Sequence, residues 1–337
     1  MIDREQTTRD PHPEARRHSD RGALLHLQGD RVGARAEYEA ALALDPEDAT
    51  ALNNLGFLVA QEGDFAGAIE LYERAIGLRP EHSTAYANLG NARAGRGEIP
   101  GGIEALARAV EIDASNLVAL DSLAKLYMLS GALAEAERAW RAALAVDPGN
   151  AGLLTALGVV LAARGETQEA VDLLTTAVER DPSSAQAWTQ LGVVLFARED
   201  YGSAEQALRG ALGLVPEDRD ARRHLSIVKL ARGDRAGAAL ELERVLAFHA
   251  DDATTRTDVA VHRLADKDVD GALPELDRVL AGSPGDERAR FYRAVILHLT
   301  GRVEEATETL QALAAAGGAF AERARHYLAT VEDAATA

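Results

Sequence analysis

The sequence contains no cysteine, few aromatic residues and no long apolar run. Without cysteine, the protein cannot form disulfides, thiolate zinc sites or cysteine-based redox centres. Aromatic residues make up only 4% of the chain, a proportion that suits thin, closely packed helices better than a β-sandwich or β-barrel. No stretch approaches the ~18 consecutive apolar residues of a membrane span, and the N-terminal residues lack the apolar core of a signal peptide. We therefore expect a cytoplasmic protein without membrane insertion.

The chain is also short of positive charge, with 36 lysines and arginines against 54 aspartates and glutamates. The resulting net charge of −18 repels the phosphates of nucleic acids and of anionic lipids. Nucleic acids and anionic membranes are therefore not expected partners.

Small residues recur every 34 residues along the chain. In the second half of each repeat, one position is always alanine or glycine, at Ala34, Ala68, Gly102, Ala136, Ala170, Ala204, Ala238, Ala272 and Ala306. A second small position is occupied by Gly22, Gly56, Gly90, Ala124, Gly158, Gly192, Ser226, Ala260 and Ala294. Apolar residues around these positions follow helical spacing, as at Leu52, Leu55 and Val59. Because two helices approach closely only where both carry little bulk, the pattern predicts repeated helix pairs.

The repeat resembles the tetratricopeptide repeat, whose pattern is W-x-x-L-G-x-x-Y, then A-x-x-x-F and P. The second repeat carries Leu52, Leu55, Gly56, Val59, Ala68, Tyr72 and Pro80. The sixth repeat carries Trp188, Leu191, Gly192, Leu195, Ala204, Leu208 and Pro216. The resemblance implies an all-α fold, a right-handed superhelical solenoid of about nine helix-turn-helix repeats. In the last three repeats the tryptophan-like residue is replaced by Arg222, Arg256 and Arg290, so different packing is expected there.

The chain is expected to contain four segments. These are a disordered segment at 1–14, regular repeats one to six at 15–218, divergent repeats seven to nine at 219–320, and a capping helix with a tail at 321–337. The first segment is charged, polar and rich in proline. In the last segment, Ala324, Tyr327, Leu328 and Val331 share one helical face, so this helix is expected to cover the exposed edge of repeat nine.

The sequence carries no catalytic or cofactor motif. It has no G-x-S-x-G, no H-E-x-x-H and no phosphate-binding glycine loop. Residues 266–277 match the spacing of a calcium-binding EF-hand loop, but the twelfth residue is Asp277 instead of glutamate. Because Ala272 and Leu276 belong to a second helix by register, a solvated turn between helices is the favoured interpretation. No enzyme activity, cofactor or metal is expected.

The resemblance implies that the first helix of each pair lines a concave groove. Its second, fifth, sixth, ninth, twelfth and thirteenth positions would contact a ligand. In repeats two and three these positions are rich in amides, which can hydrogen-bond an extended peptide backbone. From repeat five onward they are mostly apolar, which suits an amphipathic helix. The expected partner-binding residues are Asn53, Asn54, Phe57, Asn88, Asn91, Lys125, Thr189, Gln190, Val193, Phe196, Arg223, Ile227, Arg288 and Phe291.

Two alternatives compete with this view of the groove. The asparagines would instead satisfy neighbouring helix ends, and the apolar residues would instead pack between helices. Some family members clamp a C-terminal carboxylate with basic residues and asparagines, but that clamp is not visible here. Arg223 and Arg288 remain as weak attractors of an acidic segment.

The expected function is that of a non-catalytic scaffold or adaptor, which binds a peptide or helical segment of a partner protein in the groove. One alternative is a regulatory or targeting subunit of an enzyme complex, such as a peptide-sensing switch. Another is a self-assembling structural protein, which would form a homo-oligomer.

Overall fold

The computed structural model describes residues 12–336, with side chains as far as Val331. These residues form nineteen α-helices and no strand. The helices are α1 (Pro13–Leu27), α2 (Arg31–Leu44), α3 (Ala49–Gln61), α4 (Phe65–Leu78), α5 (Ser83–Gly95), α6 (Ile99–Ile112), α7 (Leu117–Leu129), α8 (Leu133–Val146), α9 (Ala151–Ala163), α10 (Thr167–Arg180), α11 (Ala185–Ala197), α12 (Tyr201–Leu214), α13 (Arg219–Ala231), α14 (Arg235–Phe248), α15 (Ala253–Ala265), α16 (Val269–Gly282), α17 (Glu287–Leu299), α18 (Val303–Ala316) and α19 (Ala321–Thr336).

The helices fall into two compact units that divide between Arg180 and Asp181. The first unit holds the five pairs α1 to α10, and the second holds four pairs, α11 to α18, followed by α19. The division lies one repeat before residue 219, where the sequence changes from regular to divergent repeats. Residues 1–11 of the expected disordered segment lie outside the described residues, and α1 begins at Pro13, two residues before the expected boundary.

Within each unit, every helix packs against the next one along the chain. First helices of neighbouring pairs also contact each other, as α3 contacts α5 in the first unit and α11 contacts α13 in the second. This stacking of helix pairs is the arrangement of a repeat solenoid, in which the core lies between neighbouring repeats. The expected all-α solenoid is therefore confirmed.

Both small-residue columns are buried at the helix contacts. Ala68, Ala170 and Ala204, for example, have no exposed surface. At Gly90, an added Cβ would lie 2.6 Å from Leu106 Cγ and 2.8 Å from the backbone oxygen of Gly102. Such distances are shorter than van der Waals contact, so the two helices of this pair meet at backbone level.

The turns between paired helices explain where the helices begin and end. Most helices begin after an aspartate, asparagine or serine whose side chain accepts a hydrogen bond from the first turn. Asp268 of the calcium-like segment has this role, because its Oδ1 accepts from Gly271 N at 2.9 Å while Val269–Gly282 is helical. The turn itself needs a positive φ, which glycine supplies in most repeats. Glu199 and Lys267 adopt it instead, with φ of 62° and 65°.

Repeats seven and eight replace part of their apolar core by ion pairs. In repeat seven, Arg222 Nη1 donates to Glu241 at 2.9 Å, and the Lys229 ammonium lies 3.3 Å from the same carboxylate. All three residues are buried. The corresponding positions of repeat five are leucines, at Leu154, Leu161 and Leu173. The substitutions at Arg222 and Arg256 are therefore matched by a buried glutamate on the second helix, Glu241 and Glu275 respectively. At the corresponding position of repeat nine, Arg290 faces Thr309 in sequence register instead.

Helix α19 covers the end of the last helix pair, as expected. Ala324 is fully buried, and Phe320, Tyr327 and Leu328 pack against the core of α17 and α18. The Tyr327 hydroxyl lies 3.2 Å from Nδ1 of His298 on α17. The apolar face that the sequence predicts for this segment is thus the face that docks.

Candidate partner-binding surface

A chain of amide hydrogen bonds joins repeats two and three on their first helices. Nδ2 of Asn88 on α5 donates to Oδ1 of Asn53 on α3 at 2.9 Å, and Nδ2 of Asn53 donates to Oδ1 of Asn54 at 3.2 Å. Asn53 is buried, whereas Asn54 and Asn88 are half-buried and Asn91 is exposed. The amides of Asn53, Asn54 and Asn88 therefore bond to one another across the repeat boundary, and these bonds do not involve a helix end.

An aromatic side chain lies beside these amides. Phe57, one helical turn from Asn53 on α3, is 41% exposed. Its ring centroid lies 5.5 Å from that of His26 on α1, in a tilted arrangement. The surface of α3 and α5 thus combines an exposed ring with partly solvated carboxamides.

Lys125 on α7 is held by an ion pair within its own helix. Its Nζ lies 2.6 Å from Asp121 Oδ2, and the other oxygen of Asp121 accepts from Trp140 Nε1 at 2.9 Å. Because Lys125 is exposed, the pair contributes little stability. Its ammonium retains donors that face solvent.

In the second unit, α11 presents the expected residues at different depths. Thr189 is buried and its hydroxyl donates to the backbone oxygen of Ala185 at 3.0 Å, so this side chain is satisfied within the helix. Gln190, Val193 and Phe196 are half-buried. The Phe196 ring lies 5.6 Å from that of Tyr201.

Arg223 on α13 and Arg288 on α17 are both paired with Asp258 on α15. The distances are 3.3 Å from Arg223 Nη2 to Asp258 Oδ2 and 2.6 Å from Arg288 Nη2 to Oδ1. One carboxylate therefore bridges the guanidinium groups of repeats seven and nine. Asp258 occupies the sixth position of the first helix in repeat eight, which is one of the positions expected to contact a ligand, although Asp258 was not among the expected binding residues.

Apolar exposure in this unit centres on α13. Ile227 is 41% exposed, and Leu230 lies on the same side three residues later. His224, also on α13, is partly buried, and burial lowers the pKa of its imidazole while Asp220 partly opposes that shift. This histidine is therefore neutral at neutral pH, and the exposed strip around Ile227 carries no added charge from it.

Phe291 differs from the expectation that it faces a ligand. It is only 8% exposed and packs against Leu310, Leu313 and the aromatic rings of Phe320 and Tyr327. The reason is α19, which covers this position of α17. The pattern of a single repeat cannot show that a helix outside that repeat covers one of its groove positions.

Neither a metal site nor a membrane-spanning helix is found in the described part of the chain. No group of three or more acidic or histidine side chains there is placed to hold a metal ion. Across residues 12–336, no helix has both the length and the apolarity required to cross a bilayer.

Family models for the tetratricopeptide repeat match the chain in several places. One matches residues 28–80, 122–185 and 155–219. A second matches residues 59–126, 195–255 and 263–329, more than half of the chain. A search of curated protein sequences finds no match.

Solved structures share the fold. A tetratricopeptide repeat protein from Parabacteroides merdae aligns with a TM-score of 0.60 at 17% identity, covering 74% of this chain and 98% of that one. The Cut9–Hcn1 structure from the APC/C aligns with a TM-score of 0.57 at 18% identity, covering 86% of this chain; this chain spans 60% of that one. The pilF protein of Pseudomonas aeruginosa aligns with a TM-score of 0.53 at 22% identity, covering 64% of this chain and 98% of that one. At these identities the similarity concerns the fold alone.

Proposed function

Because the chain belongs to the tetratricopeptide repeat family, whose repeats indicate a protein–protein interaction scaffold, we propose that it is a non-catalytic adaptor. It binds an extended segment of a partner protein on the first helices of repeats two and three. The binding residues are Asn54, Phe57, Asn88 and Asn91, with Asn53 holding the amides in place.

The amide chain from Asn88 through Asn53 to Asn54 is the observation that supports this proposal. A carboxamide offers two donors and an acceptor with two lone pairs. Within the described residues, Asn54 Nδ2 and Asn88 Oδ1 take part in no hydrogen bond, although both side chains reach solvent. The inner bonds fix the orientation of these groups, so a ligand backbone meets preorganised partners.

An extended peptide suits this arrangement because its backbone alternates donors and acceptors. The Asn54 amide donates to a peptide carbonyl, and the Asn88 carbonyl accepts from a peptide N–H. Phe57 then packs against an apolar side chain of the same peptide. Apolar burial supplies most of the affinity, and the amides determine the register of the peptide.

The test begins with peptides selected from a random library on the immobilised full-length protein. The dissociation constant of each peptide is then measured by fluorescence polarisation for the wild type and for Asn54→Ala/Asn88→Ala. Loss of two hydrogen bonds of about 1 kcal/mol each weakens binding about tenfold or more. Gln168→Ala is the control, because it removes an exposed amide from the second helix α10, away from this surface.

Equal affinities for the wild type and the double variant would remove this surface from the proposal. Two other roles have distinct signatures. A regulatory subunit would change the activity of a co-purified enzyme when added to it. A self-assembling protein would show a mass that rises with concentration in light scattering.

The apolar strip of the second unit supports a second binding surface on the same scaffold. Ile227 is exposed, and Phe196 and Val193 are half-buried on the neighbouring first helix. A helix of a partner protein with one apolar face fits such a strip better than an extended peptide, since few free amides are present there.

A further inference from the structure

Each buried glutamate in repeats seven and eight is surrounded by three cations. In repeat seven, the Glu241 carboxylate accepts from Arg222 at 2.9 Å, from Arg244 at 3.0 Å and from Lys229 at 3.3 Å. The glutamate side chain is only 4% exposed. Arg222 and Arg244 approach it from α13 and α14 respectively, so the cluster lies between the two helices of one pair.

Repeat eight repeats the cluster at the same positions. Glu275 is paired with Arg256, with Arg263 at 3.4 Å and with Arg278 at 3.3 Å. The cations stand 34 residues after those of repeat seven in each case. Two successive repeats therefore carry the same arrangement on α13–α14 and on α15–α16.

These clusters leave positive charge unneutralised. One carboxylate balances one of three cations, and in repeat seven two of those cations, Arg222 and Lys229, are buried. Arg222 also donates to the backbone oxygen of Pro216, but a carbonyl carries no net charge, so the two buried cations share one carboxylate. Excess charge in the protein interior is costly because the interior solvates it poorly. The exposed members of the clusters are Arg244 and Arg278, whose side chains are about half exposed or more. A carboxylate that reaches the exposed arginine of a cluster reduces the excess of positive charge there, because each cluster has three cations and one carboxylate.

The chain around these repeats is nearly neutral, unlike the chain as a whole. Residues 219–290 carry thirteen lysines and arginines and fourteen acidic residues, whereas the whole chain has a net charge of −18. The repulsion that this part of the chain exerts on an acidic ligand is therefore weaker than the net charge of the whole chain suggests.

The corresponding face of repeat three is open to solvent. A groove of about 560 Å³ lies between α5 and α6 there, and its lining includes Tyr86, Arg93, Ala105 and Arg108. These residues stand at the positions of Arg222, Lys229, Glu241 and Arg244 in repeat seven. In repeat three the groove exists with Ala105 in place of the glutamate. In repeats seven and eight, a ligand on this side reaches the exposed parts of Arg244 and Arg278.

We propose that Arg244 and Arg278, supported by the two ion clusters, bind carboxylates of an acidic segment of a partner protein. The segment lies along the second helices α14 and α16 and presents one acidic side chain to each repeat. This surface belongs to the second unit, whereas the asparagine surface on α3 and α5 belongs to the first. A scaffold with both surfaces binds two chemically different segments.

An acidic protein segment fits these observations better than a nucleic acid. Two exposed arginines supply few phosphate contacts, and nucleic-acid affinity depends on many such contacts. The net charge of −18 also opposes a long polyanion over the rest of the molecule. A short segment is exposed to less of that charge, although the exposed Glu243 and Asp277 stand beside Arg244 and Arg278.

The experiment uses the full-length protein and a short fluorescein-labelled peptide rich in glutamate, with its glutamine counterpart as the uncharged probe. Fluorescence anisotropy at low and at physiological ionic strength gives the affinities. For Arg244→Gln/Arg278→Gln, we expect binding of the glutamate peptide to be at least about fivefold weaker. Because both side chains are exposed, the fold is retained, and circular dichroism verifies this.

Arg138→Gln is the matched control. Arg138 is exposed on the second helix α8 and pairs with Glu135 at 3.1 Å, with the same spacing in sequence as Arg244 and Glu241. This pair contains one cation for one carboxylate, so its loss changes the affinity by less than about twofold. Asn54→Ala/Asn88→Ala also leaves binding of the glutamate peptide unchanged, which separates this inference from the proposed function.

Several results would overturn the inference. They are absence of binding to the glutamate peptide at low ionic strength, equal binding of the glutamine peptide, and an equal loss of affinity in Arg138→Gln. Tighter binding of a single-stranded oligonucleotide than of the glutamate peptide, lost in the same double variant, would replace the protein segment by a nucleic acid.

Discussion

At the scale of single residues, the closest helix contacts are made where a side chain is missing. At Gly90, the nearest atoms to an added Cβ include the backbone oxygen of Gly102, which cannot move without shifting a helix. We expect Gly90→Ala to destabilise the protein by about 1–3 kcal/mol, although alanine is the better helix former. Urea unfolding followed by circular dichroism measures this.

Gly77 provides the control for that substitution. It lies in α4, and a Cβ added there would meet nothing within 4 Å. We expect Gly77→Ala to be neutral or to stabilise by up to ~1 kcal/mol, because only helix propensity changes. Similar losses at Gly77 and Gly90 would mean that close approach is not the reason for glycine in this column.

A second prediction concerns the turn at Lys267. Its φ of 65° is one that glycine adopts without strain, and glycine occupies the same turn position in most repeats. We expect Lys267→Gly to stabilise the protein by roughly 0.5–1 kcal/mol. Lys267→Ala, which keeps a Cβ, should give no gain. The urea concentrations at the midpoint of unfolding of the two variants distinguish relief of backbone strain from the loss of an exposed charge.

A third prediction concerns the apolar strip of the second unit. If Phe196 and Ile227 anchor a partner helix, replacing both by alanine weakens its capture by ~1 kcal/mol or more. The measurement is a pull-down titration with an amphipathic helical peptide selected on the protein. Replacing the exposed Leu129 of the first unit by alanine is the control. Unchanged affinity in the double variant would exclude these anchors.

Single residues differ in how far the sequence determines their environment. The small positions could be predicted because close helix packing allows no other residue type, whatever the rest of the chain does. The contacts between the asparagines could not be predicted, because an amide on a helix surface forms a hydrogen bond with whichever neighbour its rotamer reaches. Phe291 is a further case, because its burial depends on α19, an element outside its own repeat.

At the scale of helices, the sequence determined the elements well. Glycine turns and capping aspartates mark the ends of most helices, since each satisfies a local backbone requirement. The ionic cores of repeats seven and eight were less accessible to prediction. Arg222 and Arg256 signalled a change, but the matching role of Glu241 and Glu275 follows only when both helices of a pair are superimposed.

These ionic cores lead to a fourth prediction. Replacing Arg222, Lys229 and Glu241 together by leucine reproduces the composition of repeat five. We expect stability equal to the wild type or greater by about 1–4 kcal/mol, because the desolvation cost of the charges disappears. Glu241→Ala alone should lose about 3–5 kcal/mol, since Lys229 then loses its carboxylate partner and Arg222 keeps only the backbone oxygen of Pro216. Thermal unfolding by circular dichroism compares the variants.

The opposite order of stabilities would contradict this view of the cluster. If the triple leucine variant were the less stable protein, the charges would be contributing net stability. Glu243→Ala provides a control for removal of an exposed glutamate from the same helix, α14.

At the scale of the whole molecule, stability in a repeat protein is the sum of local terms. Each unit contains at least four complete helix pairs, with its own buried clusters. We therefore expect fragments 1–180 and 181–337 to fold separately, each with helical circular dichroism and a cooperative thermal transition. A fragment that lacks either property would show that its stability depends on the rest of the chain.

Function was less predictable than fold at this scale. The 34-residue period identifies a scaffold because every repeat contributes the same evidence. Partner contacts depend on a few surface positions that differ between repeats, and no repetition reinforces them. Arg223 and Arg288 illustrate this, because each is engaged in an ion pair with Asp258 on another helix, which sequence spacing alone does not reveal.

The charged interiors of repeats seven and eight also affect the response of the protein to heat. Hydration of ions becomes less favourable as temperature rises, so removing these charges from water costs less in a warm protein than in a cold one. In repeats whose core positions are leucines, there is no cost of ion desolvation to decrease on warming. Warming therefore reduces the difference in stability between repeats with ionic cores and repeats with leucine cores. The ionic cores lower the stability most at low temperature.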